Sequence, residues 1–555
     1  MTKKFLIIGL CIVMVLTMIT GCSKKTDAPS LGENFEESND MKSKKPTKFI
    51  YRISSDPPTL DPQVNNKSVG NTINSVLFEG LIGEDENLDI EAGVAEKWDI
   101  SDDGIFYTFY LRKDAKWSDG QSIITKDFLY SWKRALNPEY AVKLSNEFFY
   151  IKNAEEYYKG EKEFSDVGIQ MVDDYTIKIE LSNPVPEDEM LSRFTSKVFY
   201  PLREDIIEAN PDDWTLHPET CISNGPFKMK SYKMNEEIVM VKDENYWNRE
   251  NKGKVDELCF VFISDGTTTL RAFESGDIDG FSGVPSEEVP RLKMESDEFH
   301  IIPALSFSYF ALNVTKPPID NPKVREALVL AIDKQKVVEA SVSGLSKPAT
   351  GIVPYGLVVN GVDFREEGDR NGDILPVNGD IERAKAALAE AGYPDGQGFP
   401  KIEYLYNASP GNKQTAEILQ EMWKKNLNID VELVNVEYKV ESERRHSGDF
   451  QLARSAWNGD RFPISFLQIF ATGNANNNPQ YSNPKYDELI KEIRAESDIF
   501  KRNVLLHKAE EMALADYIVC PISYGSSTLL IKNKVKDLKI TPTGGVIFDY
   551  VYIDE

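Results

Sequence analysis

Residues 401–438 read "KIEYLYNASPGNKQTAEILQEMWKKNLNIDVELVNVEY", and this stretch decides the fold class. "KIEYLYN" reads as a strand, "GNKQTAEILQEMWKKNLN" as a helix and "IDVELVNVEY" as a second strand. Strand, helix, strand in that order predicts a partly parallel sheet and an α/β protein. Upstream, "DIERAKAALAEAG" (380–392) is a helix capped by Asp380 and ended by Gly392. "NPKVREALVLAIDKQKVVEA" (321–340) reads as one helix with Pro322 in its first turn and a stripe of Val324, Leu328, Ala331 and Ile332. Downstream, residues 483–517 read helical throughout, and "IVCPISYG" returns as a strand.

The N-terminal half carries more strand. "FIYRIS" alternates, and "SDPPTLDPQ" is a proline-rich turn. "VGNTINSVLFEGL" puts Ile73, Val76, Leu77 and Leu81 on one helical face. A strand bearing Tyr107, Phe109 and Leu111 is followed by an "SDG" turn, then by a helix with Thr125 as N-cap and Phe128, Trp132 and Leu136 on its inner face. Trp98, Trp117 and Trp132 are expected in one core. "TIKIEL" is another short strand, and "EEIVMVKDENYW" (236–247) and "KVDELCFVFI" (254–263) form a strand pair in a separate sheet. No internal repeats occur.

At roughly 100–200 residues per domain, a chain of 555 residues holds about three domains. Hydrophobic residues make up 41% of it, and the formal net charge is −26. A nucleic-acid binder normally shows a basic face, so that class is disfavoured. At the N-terminus, Lys3 and Lys4 precede an apolar run from Phe5 to Ile19 that is shorter than the roughly 20 residues a spanning helix needs. "ITGC" follows, and a polar tail after it reads as a disordered tether. This pattern resembles the bacterial lipobox. It implies a signal peptide over 1–21, lipidation at Cys22, a flexible tether over 22–46, and residence on the outer face of the cell membrane, since two or more acyl chains anchor stably. Cys221, Cys259 and Cys520 remain after Cys22. A Cys221–Cys259 bridge and isolated buried thiols are both open readings.

Enzyme signatures are absent. His217, His300, His446 and His507 form no metal-binding pair, and no GxGxxG, Walker A or GxSxG sequence occurs. "GDRNGDILPVNGD" spaces Asp369, Asn371 and Asp373 like a calcium loop, but Ile374 stands where the turn needs glycine and Asp380 closes the count, so a solvated loop is favoured. No cofactor or metal is expected. One stretch stands out: "LARSAWNGDRFPISFL" (452–467) sets Arg454 and Asp460 among core-type residues. Charged side chains are seldom buried without a partner, so each requires one. Asp460 can cap the "NGD" turn, Arg454 can pair with a core carboxylate, Arg445 can lie solvated beside Arg444, and Trp457 can simply pack.

Several segments, in order, give those charges another reading: "TLDPQ", "VLFEGL", "GVAEKWDISDDGIFYTFYLRKDAKWSDGQSIITKDFLYSWKRALNP", "SNGPFKM", "YWN", "FESGDIDG", "LNVTKPPIDNPKVREALVLAIDK" and "AKAALAEAGYPDGQGFP". Together they resemble the oligopeptide-binding proteins of bacterial ABC importers, within the peptide- and nickel-binding receptor family. The resemblance runs from about Phe49 to the C-terminus. It implies a three-domain, periplasmic-binding-protein-like clamshell of two hinged lobes with mixed sheets. The first lobe is discontinuous over 47–77, 200–305 and 515–555, an extra domain covers 78–199, and the second lobe covers 306–514. It implies that Asp460 holds a peptide's α-ammonium and that Ala456 and Asn458 bond the peptide backbone beside Trp457. Asn66 and Ser68 would meet the other backbone edge, Tyr140 would touch the peptide, and Arg445 and Arg454 would meet its carboxylates. The implied function is capture of short peptides by a monomer that catalyses nothing and serves a permease and its ATPase subunits. The rival readings are another solute (a nickel chelate, sugar, haem or signalling peptide) and a surface hydrolase or adhesin.

Overall fold

A single large sheet organises the computed structural model, which describes residues 46–554 except 66, 141, 143, 342–344, 360, 371, 373, 374 and 543. The lipobox, Cys22 and the tether lie outside the described residues. The predicted strand–helix–strand unit forms one end of the sheet. Strands Ile402–Asn407 and Val431–Val436 pair in parallel, joined by the helix Pro410–Leu427. Ser409 caps that helix, accepting the Asn412 N–H at 3.2 Å, and Trp423 is buried with its indole N–H donated to the Leu328 carbonyl at 2.9 Å.

The sheet continues through Leu452–Asn458 to two long antiparallel strands, Phe299–Leu312 and Val519–Ile531. It then runs on through Gly280–Ser282, Lys48–Ile53, Glu257–Phe262, Glu237–Lys242 and Phe227–Lys233, and Lys347–Pro348 adds an eleventh strand off this path. Residues 236–247 and 254–263 therefore pair as expected, but within the large sheet and not in a separate one. Each long strand serves two cores. Leu305 to Leu312 and Ile518 to Tyr524 pack with Trp423, Phe466 and Tyr486, whereas Ile302 and Leu529 pack with Phe49, Tyr51 and Phe260. The register between them shifts between Pro303 and Phe307.

A separate antiparallel sheet of four strands, Ala95–Ile100, Phe106–Leu111, Thr176–Glu180 and Ile169–Asp173, covers a third core. That core is aromatic: Trp117, Trp132, Phe128, Phe148, Phe194 and Phe199 are all buried. Trp98 is only half-buried, its ring tilted against Phe109 at the margin. The architecture is a mixed α/β fold in which the two long strands are shared by the two larger cores.

Several helices end where an acidic cap intervenes. The single helix expected over 321–340 is two, Pro322–Leu330 and Lys334–Ser341, because Asp333 accepts the Lys336 N–H at 3.1 Å and restarts the chain. Likewise 483–517 divides into Pro484–Ala495 and Ile499–Ala515, restarted by Asp498, whose carboxylate accepts the N–H groups of Phe500 and Lys501. Thr125 is the first helical residue of Thr125–Ala135, not its cap. Asp127 reaches back instead to the Ile124 N–H at 3.0 Å. Leu81 lies beyond the end of Ser68–Leu77. Cys221, Cys259 and Cys520 are free and buried, so the Cys221–Cys259 bridge does not form; burial pushes each thiol up to about 12.

Candidate functional site

The strand Leu452–Asn458 alternates as a pleat requires. Ala453 and Ser455 are buried, while Arg454, Ala456 and Asn458 share the outer face. One backbone edge pairs with Phe299–Leu312 from Leu452 to Asn458. The other edge pairs with Ile402–Asn407 only at Leu452 and Ala453. From Arg454 to Asn458 that second edge has no strand partner among the described residues. Unpaired N–H and C=O groups on a strand edge are a template for another extended chain.

Arg454 and Asp460 do not pair with each other. Arg454, half-buried, makes no hydrogen bond or ion pair among the described residues, although it lies within electrostatic reach of the buried Tyr309 and Tyr404. Arg445 is not solvated beside Arg444. It is 12% exposed and pairs at 2.8 Å with Glu441, itself 3% exposed. Its other arm donates to Asn478 Oδ1 at 3.0 Å, and the Asn478 amide donates to Tyr309 Oη at 3.1 Å and Ser455 Oγ at 3.2 Å. This network fixes the floor beneath the open edge.

Asp460 does cap a turn: its Oδ1 accepts the Phe462 N–H at 2.9 Å. Its own N–H donates to Ser465 Oγ at 3.0 Å, and the Trp457 indole N–H donates to the Ser465 carbonyl at 3.0 Å. Those bonds pin the loop to the end of the strand. The Ser465 side chain also lies within hydrogen-bonding reach of the carboxylate, which has no cationic partner among the described residues. The side chain opens into a cavity of 420 Å³ shared with Tyr150, Glu189, Arg193, Phe462 and Arg494. Water reaches the carboxylate, yet protein crowds it, and that partial desolvation raises its carboxyl above the ordinary range. Next to it, Arg461 reaches Glu84 at 2.8 Å, and Ser192 donates to the same carboxylate oxygen at 3.0 Å.

The other predicted contacts lie apart from this strand. Tyr140 is 52% exposed, with the Arg134 guanidinium over its ring at 5.2 Å. Arg134 is in turn held by Asp61 at 2.7 Å. No contact joins Tyr140 to residues 454–460 among the described residues. Asn66 lies outside the described residues. Ser68 is not on an extended edge; it opens the helix Ser68–Leu77, because Asn65 Oδ1 accepts the Lys67 N–H at 3.2 Å and turns the chain into that helix. Its N–H is thus one of the unpaired donors at a helix start.

Sequence reasoning missed Glu441, Asn478, Glu84 and Arg193. Glu441 was readable as the i, i+4 partner of Arg445; the others come from distant segments. No group of His, Cys, Asp or Glu among the described residues is arranged to hold a metal ion. Asp369 of the suspected calcium loop is taken by Arg365 at 3.0 Å and Tyr355 at 2.6 Å, while Asn371, Asp373 and Ile374 lie outside the described residues.

A mixed α/β fold with a strand edge left open beside a polar loop can seat an extended ligand. The chain belongs to the bacterial extracellular solute-binding proteins, family 5, whose model matches residues 89–478. It is 33% identical over 559 residues to the oligopeptide-binding protein OppA of Bacillus subtilis (strain 168), covering 100% of both chains. Among solved structures it resembles the murein tripeptide-binding protein MppA in its unliganded open form, with a TM-score of 0.80, 28% identity, and coverage of 92% of this chain and 98% of that one. Another structure of the Escherichia coli MppA superposes with a TM-score of 0.68 at 28% identity, covering 92% and 99%.

Proposed function

We propose that this chain is a lipid-anchored extracytoplasmic receptor that captures short peptides and delivers them to an ABC permease, with no chemistry of its own. The observation that carries the reading is the unpaired backbone edge from Arg454 to Asn458, ended by a carboxylate that has no cationic partner among the described residues. An extended peptide needs a partner for every N–H and C=O it buries. The edge supplies them without reading side chains. Asp460 takes the α-ammonium, and Arg454 takes a carboxylate through its forked guanidinium. The segments 47–77, 200–305 and 515–555 form one lobe, 306–514 the other and 78–199 an extra domain, with Ile518 to Tyr524 of the shared strand packed into the core of the other lobe. The relatives named for oligopeptide and murein tripeptide binding support the ligand class, and the likeness to an unliganded open form supports an arrangement awaiting ligand.

Two ligand forms and two proteins test the role of Asp460. Breaking a buried ion pair costs about 3–5 kcal/mol, which at about 1.4 kcal/mol per decade is on the order of a hundred- to several-thousand-fold in affinity. Asp460→Ala is expected to weaken free-terminus peptides by that factor and N-acetylated peptides far less, by calorimetry. Equal losses for both would assign Asp460 to its turn alone. Native mass spectrometry after exposure to a mixed peptide pool should show intact peptides bound; cleaved products would indicate a hydrolase.

A further inference from the structure

Asp460 shares its surroundings with three arginines, and none of them pairs with it. Arg193 and Arg494 line the same cavity, and Arg461 is its neighbour in sequence. A guanidinium is always charged and forks readily onto a carboxylate. A free arginine beside a partly desolvated carboxylate would occupy it, and an incoming ammonium would have to displace it.

Each arginine is engaged elsewhere. Arg461 is held by Glu84 at 2.8 Å, and Arg494 donates to Gln468 Oε1 at 2.7 Å. Arg193 is held at both Nη groups, while its buried Nε has no partner among the described residues. Its Nη1 meets Glu147 at 2.9 Å, its Nη2 meets Glu189 at 2.8 Å, and its guanidinium lies 4.2 Å from the Tyr150 ring centroid. Glu189 and Arg193 are four apart on the helix Glu187–Phe194, while Glu147 comes from the turn Ser145–Tyr150. Two elements thus fix one side chain from two sides. Local helix pairing accounts for Glu189, but not for Glu147.

Resting on the reading of Asp460 as the ammonium site, we propose that Glu147 and Glu189 are specificity-determining residues, which hold Arg193 off Asp460 and keep that carboxylate open to a cationic group. They act through Asp460, by denying it an internal partner. The arrangement selects for ligands with a free amino terminus, because only a cation gains from a carboxylate kept unpaired.

The test uses a random tetrapeptide library with free N-termini and its N-acetylated copy, titrated against the full chain with intrinsic tryptophan fluorescence as the signal. Releasing one arginine onto Asp460 is worth about 1 kcal/mol, so Glu147→Gln/Glu189→Gln is expected to weaken the free library about five- to tenfold and leave the acetylated library unchanged. Adding Arg193→Gln should restore wild-type binding, since no competitor remains. A structural role would behave otherwise, because removing a third side chain from a damaged network does not repair it. If the pair fails to fold, the single variants Glu147→Gln and Glu189→Gln, each checked by thermal melting, give the same pattern at smaller size, since each leaves Arg193 one carboxylate. No loss, an equal loss for both libraries, or a loss that Arg193→Gln does not restore overturns the proposal while leaving Asp460 as the ammonium site. A wild-type protein indifferent to acetylation overturns the ammonium site itself and this proposal with it.

Discussion

Arg445 and Arg454 lie on consecutive elements, a helix and a strand, and carry the same charge, yet only one has an internal partner among the described residues. Removing one member of a buried pair costs about 3–5 kcal/mol because the other is left charged and dry. Arg445→Gln strands Glu441, which is 3% exposed, and is expected to destabilise the protein by about 3 kcal/mol. Arg454→Gln strands nothing, so its stability is expected to stay within about 0.5 kcal/mol of wild type, while affinity for peptides falls. Urea melts paired with calorimetry check both; a large stability loss for Arg454→Gln would mean that it has an internal partner in solution. Sequence marked Arg454 and Asp460 as charges out of place among apolar neighbours. It did not mark Arg445 as buried, because "ESERRHSG" is polar throughout and nothing local tells a solvated arginine from one folded onto Asn478, 33 residues away.

At the scale of elements, periodicity found most strands and helices and failed where a side chain cuts a helix. Asp333 and Asp498 sit inside runs of good helix formers, so the apolar stripe continues across the break while the backbone does not. The placement of the pair at 236–247 and 254–263 was also hidden, since strand pairing over large sequence separations leaves no local mark. The long strands carry a feature of their own at Gly525. A Cβ there would stand 1.9 Å from Ser306 Oγ and 3.3 Å from Ser306 Cβ, beside the register shift that ends at Phe307. The hydroxyl can rotate away, but the two β-carbons cannot. Gly525→Val is therefore expected to cost about 1–3 kcal/mol, the usual range for overpacking, and Ser306→Gly in the same chain should recover most of it. If thermal melting shows no loss for Gly525→Val, the crossing is looser than these distances imply.

For the whole molecule, the two halves of the large sheet meet only through Phe299–Leu312 and Val519–Ile531 among the sheet's strands. A connection of two adjacent strands resists stretching but permits bending, which suits two lobes moving as units. The third core is also tied to the core around Trp423 and Phe466, by Glu84 to Arg461 and by Asp188 to Arg502. A peptide on the open edge of 454–458 has its other backbone edge still in water, and burial requires that this edge find partners across the cleft. Two observables separate closure from simple docking. Any tight ligand raises the melting temperature by mass action: about 2.7 kcal/mol at a hundredfold excess over Kd, or about 2–3 °C at roughly 2.1 cal/mol/K per residue. Docking on one lobe alone gives the same rise, so melting does not discriminate. The radius of gyration does, because only closure brings the lobes together. A tight peptide is expected to raise the melting temperature and shrink the particle in small-angle scattering, whereas Asp460→Ala with the same peptide at the same concentration should do neither. A melting shift without compaction would leave the peptide on the strand edge and remove the hinge from the mechanism.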